Sequence, residues 1–123
     1  MSTILIKNAT LINEGSQEIQ DVFIVDQFIQ EIGINLNHKA DQIIDASGKH
    51  LIPGLIDDQV HFREPGLTHK ATIASESRAA VAGGITSFIE MPNTNPQTTD
   101  IQALENKFER AAETSFANYS FMF

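Results

Sequence analysis

The stretch LIDDQVHFREPG, residues 55–66, carries an apolar run directly into a group of ionisable side chains. Its composition and length predict a β-strand over Leu55–His61. Side chains alternate across a strand, so three of these polar residues are expected on one face: Asp57, Gln59 and His61. Arg63 follows just past the strand end. In parallel α/β folds ligands bind beyond the carboxyl ends of the strands, so the stretch predicts a candidate site.

The sequence that follows this stretch has a helical period. A helix is predicted over Lys70–Ala82, with Gly83 and Gly84 as its stop signal. Its predicted buried stripe consists of Ile73, Ser77, Ala80 and Val81. A strand is then predicted over Ile85–Met91, cut off by a proline. This order is the start of a strand–helix–strand unit.

A second helix and a further strand are predicted beyond the proline. Thr99 and Gln102 have the spacing of a capping box. The predicted buried stripe of this helix consists of Ile101, Leu104, Phe108 and Ala111. Alternating side chains predict a last strand over Ala117–Phe123. The alternation of strands and helices predicts an α/β fold with parallel strands.

Residues 1–50 have a different pattern, with short β-branched runs separated by turn residues. The predicted strands are Thr3–Lys7, Thr10–Ile12, Asp21–Val25, Phe28–Ile32 and Gln42–Asp45. No helix-length apolar period interrupts them. We therefore expect two domains, a small β-sheet layer at 1–50 and an α/β region at 51–123.

The composition is that of an ordinary globular protein, with 41% hydrophobic and 20% charged residues over 123 positions. A formal net charge of -8 argues against binding to nucleic acid or to anionic membrane surfaces. The chain has no cysteine, which excludes disulfides and thiolate metal sites. No signal peptide or membrane-spanning run is predicted, so we expect a cytoplasmic protein.

The polar groups at the predicted strand ends allow several interpretations. His61 has a ring nitrogen that can bind a metal, and Arg63 has the planar fork that suits a carboxylate. Asn93 follows the next parallel strand and is expected on the same rim. Equally, His61 can be a hydrogen-bonded structural residue, Arg63 a surface ion pair, and MPNTNP at 91–96 a simple turn. From the residues alone, the prediction is an anion or metal site.

Several longer segments of the sequence resemble one protein family. The segments HLIPGLID (50–57), VHFREPG (60–66) and AAVAGGITSFIEMPNTNP (79–96) closely resemble the N-terminal part of the longer bacterial dihydroorotases, of the amidohydrolase superfamily. ILIKNATLIN (4–13) and DVFIVDQFIQEIG (21–33) resemble the β-sandwich segment that precedes the barrel in these enzymes. The resemblance implies the first strands and helices of a (β/α)8 barrel, a TIM barrel, with zinc as cofactor. It also implies reversible hydrolysis of dihydroorotate to N-carbamoyl-aspartate in pyrimidine biosynthesis.

The resemblance also implies roles for individual residues. His61 resembles the second histidine of the family's first-strand zinc pair. Arg63 resembles the arginine that holds the carboxylate of the substrate. Asn93 resembles the asparagine after the second strand that also contacts the substrate. Asp57 matches a position that we interpret as structural support. Catalytic residues are implied only on later strands, so none is expected in this chain.

Two departures from the family pattern bear on these roles. Gln59 occupies the position of the first histidine of the zinc pair, and an amide oxygen is a poorer zinc ligand than imidazole. The family's bridging lysine, later zinc histidines and catalytic aspartate belong to strands beyond this sequence. We therefore expect a truncated barrel, because three of eight strands cannot close one. The other histidines match no family position and are predicted to be surface or loop residues: His38, His50 and His69.

Two alternative functions follow from the same resemblance. Gln59 favours a catalytically silent dihydroorotase-like subunit that scaffolds aspartate transcarbamoylase. Hydantoinases and allantoinases share the fold and the cyclic-amide chemistry, but Arg63 counts against them, because their substrates lack a carboxylate in the same place. A homo-oligomer is a further possible assembly.

Overall fold

The computed structural model describes all residues from Met1 to Phe123 and divides them into two units, Met1–Pro53 and Gly54–Phe123. The first unit is a five-stranded sheet in the order β3-β2-β1-β4, with β5 also paired to β1. Its strands are β1 (Thr3–Asn13), β2 (Ser16–Val25), β3 (Phe28–Gly33), β4 (Gln42–Asp45) and β5 (His50–Leu51). No helix of the chain combines the length and apolar character that crossing a bilayer requires.

One long strand, β1, replaces the two short strands that the sequence predicts at Thr3–Lys7 and Thr10–Ile12. The prediction is wrong because an irregularity joins the two runs: the register against β2 shifts between Ile6 and Ala9. Asn8, at the irregularity, has a φ of 61°. Its backbone N–H donates to the buried Asp21 carboxylate at 2.7 Å, which supports this bulge.

The second unit alternates strands and helices, as the sequence predicts. Its elements are β6 (Leu55–Val60), α1 (Ile73–Ala82), β7 (Ile85–Glu90), α2 (Ile101–Thr114) and β8 (Asn118–Phe121). The strands form a parallel sheet in the order β6-β7-β8. A small core consists of Phe62, Ile73, Phe88, Ala111 and Phe121. The predicted α/β class is therefore confirmed.

The starts of both helices differ from their predicted positions. α1 begins at Ile73 rather than Lys70, because Thr72 caps it and accepts a hydrogen bond from the Ser75 backbone at 3.0 Å. α2 has Asp100 as its cap, whose carboxylate accepts from the Ala103 backbone at 2.8 Å. The predicted capping box of Thr99 and Gln102 is thus wrong. The end of α1 at the Gly83-Gly84 pair is confirmed.

The buried face of α2 is also rotated from the predicted stripe. Ile101 and Phe108 are exposed, at 67% and 39% of their surface, although Ala111 is buried. Lys107 is completely buried instead. A lysine occupies this position because its amine reaches polar partners at the end of β7, which are described below. In α1 the stripe holds for Ile73 and Ser77, whereas Val81 is exposed.

Candidate functional site

The ends of β6 and β7 bring three predicted site residues together. His61 and Arg63 follow β6, and Asn93 follows β7. The Nδ1 atom of His61 lies 3.1 Å from Oδ1 of Asn93. A guanidinium nitrogen of Arg63 donates to the backbone carbonyl of Asn93 at 3.3 Å. The adjacent ends of parallel strands thus form one polar rim, defined here by these three residues.

The contact with Asn93 orients the exposed ring of His61. An amide oxygen only accepts hydrogen bonds, so a contact with Oδ1 favours the tautomer of neutral His61 that carries its proton on Nδ1. The lone pair is then on Nε2. Metal-binding histidines in proteins commonly donate their second ring N–H to an oxygen in this way. His61 therefore presents one nitrogen with the electronic character of a metal ligand.

Arg63 is half-buried and has an unusual backbone conformation. Its φ is 71°, in the left-handed region that residues with a side chain rarely adopt. Its backbone N–H donates to Oε1 of Glu90 at 2.9 Å. Arg63 is thus bonded through its backbone to the last residue of β7 and through its guanidinium to the loop that follows.

Gln59 and Asp57 lie in an irregular part of β6. The register against β7 pairs Asp57 with Phe88 and Val60 with Glu90, so β6 has one extra residue between these pairs. The predicted regular alternation through Gln59 to His61 is wrong for this reason. Asp57 accepts a hydrogen bond from the Gln59 backbone at 3.1 Å, and the Gln59 side chain is exposed.

The two loops that carry the rim residues are braced against each other. The Asn95 backbone N–H donates to the Pro65 carbonyl at 3.1 Å. Gly66 has a φ of 85°, and a Cβ at this position would collide with the Asn95 carbonyl oxygen. Glu64 accepts a hydrogen bond from the Ile73 backbone at 2.8 Å, at the first turn of α1, where a carboxylate is favourable.

A buried ion pair lies beneath the rim, and sequence reasoning missed it. Lys107 Nζ lies 2.8 Å from Oε2 of Glu90, with both side chains 1% exposed. The approach suits Coulomb attraction, although Oε2 has no hydrogen bond of good angular geometry. Burial raises the pKa of Glu90, and the nearby Lys107 opposes this shift. A glutamate facing inward at a strand end, 17 residues before a lysine, gives no periodic signal in the sequence.

The residues of this chain do not fit a complete zinc site. Nowhere do three histidine, cysteine, aspartate or glutamate side chains converge with the geometry to hold a metal ion. The rim provides one imidazole, and the neighbouring Gln59 is a neutral amide. The remaining histidines are exposed, as predicted: His38, His50 and His69. His38 is hydrogen-bonded to Glu31 at 2.7 Å.

Comparisons of the sequence with known proteins identify its relatives. A family model described as dihydro-orotase-like matches residues 48–121. The dihydroorotase of Streptococcus pyogenes serotype M1 is 41% identical over 119 residues, which is 95% of this chain and 28% of the relative. The dihydroorotase of Lactococcus lactis is 44% identical over 111 residues, or 89% of this chain and 26% of the relative. The chain thus spans little more than a quarter of these relatives' length.

Comparisons with solved structures match the chain to part of two hydantoinases. An L-hydantoinase (dihydropyrimidinase) from Arthrobacter aurescens superposes with a TM-score of 0.92 and 29% identity, covering 98% of this chain and 27% of that one. A D-hydantoinase from a Thermus species has a TM-score of 0.84 and 33% identity, with 98% and 27% covered. Because the family model spans more than half of the 123 residues, the chain belongs to the dihydro-orotase-like family.

Proposed function

We propose that this chain contributes to a metal-dependent cyclic amidohydrolase that opens dihydroorotate to N-carbamoyl-aspartate, a reaction of pyrimidine biosynthesis. The observation that carries the proposal is the rim, where His61, Arg63 and Asn93 converge within hydrogen-bond distance in a dihydroorotase-like chain. An imidazole, a guanidinium and an amide at the ends of parallel strands suit a small anionic substrate.

Arg63 is the proposed carboxylate-binding residue. Guanidinium groups bind carboxylates through two parallel hydrogen bonds, which provide orientation as well as affinity. One nitrogen of Arg63 already donates to the Asn93 carbonyl. This contact restricts the guanidinium and leaves its other N–H groups to bind a ligand.

Asn93 is proposed to contact both the substrate and His61. Its Oδ1 is occupied by the imidazole, so its Nδ2 donors are assigned to a substrate oxygen. His61 is proposed as one zinc ligand through Nε2, with the other ligands supplied by residues outside these 123 positions. The metal would supply Lewis acidity for hydrolysis.

Hydrolysis of dihydroorotate by the protein expressed from the whole reading frame tests the proposal. With zinc supplied we expect turnover, and we expect Arg63→Ala to lower kcat/KM on the order of 100-fold, the loss of a charged hydrogen-bonded contact. Arg78→Ala is the matched control, since Arg78, on α1, lies over the Phe116 ring and belongs to no part of the rim. Absence of turnover in the zinc-loaded wild type, or equal effects of the two variants, would reject the proposal.

A hydantoinase is the second candidate, favoured by the structural match to hydantoinases. Both structural neighbours are also named dihydropyrimidinase, and a dihydropyrimidine ring lacks the carboxylate that Arg63 is proposed to bind. Turnover of dihydrouracil or a hydantoin that exceeds turnover of dihydroorotate, and that survives Arg63→Ala, would establish this candidate instead.

A silent subunit that scaffolds aspartate transcarbamoylase is the third candidate, and Gln59 is the residue that favours it. In that case the purified protein is inactive, Gln59→His restores no activity, and a transcarbamoylase co-purifies with it. Zinc-dependent turnover by the protein alone excludes this assignment.

A further inference from the structure

The buried Glu90–Lys107 pair has no role in the chemistry proposed above. Both side chains are removed from water, and each ion loses hydration that its partner restores only in part. Replacing such a pair by apolar residues often leaves stability unchanged or raises it. Stability alone is therefore a weak explanation for a pair placed at this position.

Each member of the pair has a second contact, and both contacts are with the segments that carry the rim. Glu90 accepts the backbone N–H of Arg63 at 2.9 Å through Oε1. Lys107 donates to the carbonyl of Met91 at 3.2 Å, two residues before Asn93. The pair thus connects α2 to the loops after β6 and β7. The Lys107 amine also lies 4.9 Å from the centre of the Phe121 ring, which encloses it from β8.

The backbone conformation of Arg63 is the reason why its hydrogen bond to Glu90 matters. The left-handed φ of 71° is unfavourable for arginine unless surrounding contacts hold it. An ionised carboxylate is the strongest available acceptor for its N–H, stronger than a neutral oxygen. Lys107 favours that ionised form against the effect of burial.

We propose that Glu90 and Lys107 are positioning residues, which hold the Arg63 backbone so that its guanidinium faces the carboxylate of the substrate. This inference rests on the proposed function. It assigns the pair a role in carboxylate recognition, which is distinct from a role in folding.

The test uses two ligands that differ in one carboxylate, N-carbamoyl-aspartate and N-carbamoyl-β-alanine, and the protein from the whole reading frame. The ratio of their dissociation constants, measured by calorimetry, reports carboxylate recognition. Glu90→Leu with Lys107→Met removes both charges together, and so leaves no unpaired buried ion. We expect this double variant to remain folded with a cooperative melt and to lower the preference for N-carbamoyl-aspartate on the order of tenfold.

A second double variant, Glu90→Gln with Lys107→Met, keeps an amide oxygen in reach of the Arg63 N–H. We expect it to recover part of the preference, a recovery that a purely structural role does not predict. Glu105→Gln, on the exposed side of α2, is the control and should retain the full preference. Equal weakening of both ligands, or an unchanged ratio in the leucine variant, would overturn the positioning role.

Arg63→Ala separates this inference from the proposed function. If Arg63→Ala abolishes the preference but the Glu90 variants do not, the proposed function stands and the positioning role is overturned. If Arg63→Ala leaves the preference unchanged, or the wild type has none, both proposals fail together.

Discussion

The Nδ1 atom of His61 lies 3.1 Å from Oδ1 of Asn93, across 32 residues of sequence. The two residues meet because β6 and β7 are parallel neighbours whose carboxyl ends lie at the same edge of the sheet. The contact favours the imidazole tautomer with its proton on Nδ1, and it orients the amide group of Asn93. It makes the two residues interdependent, so a change at either one affects both.

Asn93→Ala is expected to reduce kcat/KM of the whole-frame protein by about 10- to 100-fold. The substitution removes the oxygen that orients His61, and losses of that size are typical when a partner of a ligand histidine is removed. Steady-state kinetics with dihydroorotate, together with zinc content by atomic absorption, measure the effect. Asn37→Ala, at an exposed position in the first unit, should leave both unchanged. A variant at Asn93 with normal kinetics and normal zinc content would contradict the orienting role.

Gly66→Ala is expected to lower the free energy of unfolding by about 2–4 kcal/mol, because strained φ and steric overlap combine. A Cβ at Gly66 would collide with the Asn95 carbonyl oxygen. Gly84→Ala is the matched control, since Gly84 also has a positive φ, of 91°, but nothing lies within 4 Å of its added Cβ. The control should lower the free energy of unfolding by only about 1–2 kcal/mol, because alanine is unfavourable in the left-handed conformation.

Urea denaturation of the two glycine variants measures both losses. A Gly66 variant that is no less stable than the Gly84 variant would show that the Asn95 loop moves freely. The bracing between the two rim loops would then be unnecessary for the fold.

The 123-residue chain is expected to self-associate when expressed alone. Large apolar side chains of the second unit are exposed: Ile56 at 71%, Leu55 at 50%, Phe116 at 57% and Phe123 at 66%. β6 and β8 are edge strands of their sheet, and exposed apolar edges favour association. Light scattering during size exclusion should show species larger than 13.6 kDa, decreasing in the variant Ile56→Lys with Phe123→Lys. A monodisperse, cooperatively melting wild-type monomer would contradict this expectation.

The rim was predictable from sequence because it follows from a local rule. Apolar runs ending at His61 and Met91, with one helix between them, predict parallel strands, and parallel strands place their carboxyl ends together. The α/β order follows from the same alternation of patterns. The register shift beside Gln59 was not predictable, since a bulge depends on the pairing partner rather than on the strand's own residues.

The Glu90–Lys107 pair could not be predicted from the sequence pattern, for a different reason. A lysine in an amphipathic helix ordinarily belongs to the solvated face, so the predicted stripe of α2 passed over Lys107 and included Phe108 instead. Burial of the amine becomes favourable only once β7 supplies a carboxylate and a free carbonyl. That compensation is tertiary, and the sequence of the helix alone contains no trace of it.

The pH dependence of stability provides a test of the environment of Glu90. Burial raises its pKa above the ordinary value of 4.5, against the opposing effect of Lys107. Between that value and the raised pKa, the folded state holds a proton that the unfolded state has released. Stability therefore falls as the pH rises through this window and levels off above it. The stability is lost because the Glu90 carboxyl group must ionise in a site that is removed from water.

Wild type and Glu90→Gln, compared by urea denaturation from pH 4 upward, report this contribution, because all other carboxyl groups are common to both. We expect the stability of the wild type relative to the variant to decrease as the pH rises above about 4.5. A relative stability that increases with pH would mean that attraction to Lys107 outweighs burial and lowers the pKa of Glu90. The carboxylate beneath Arg63 would then be ionised at a lower pH than burial alone predicts.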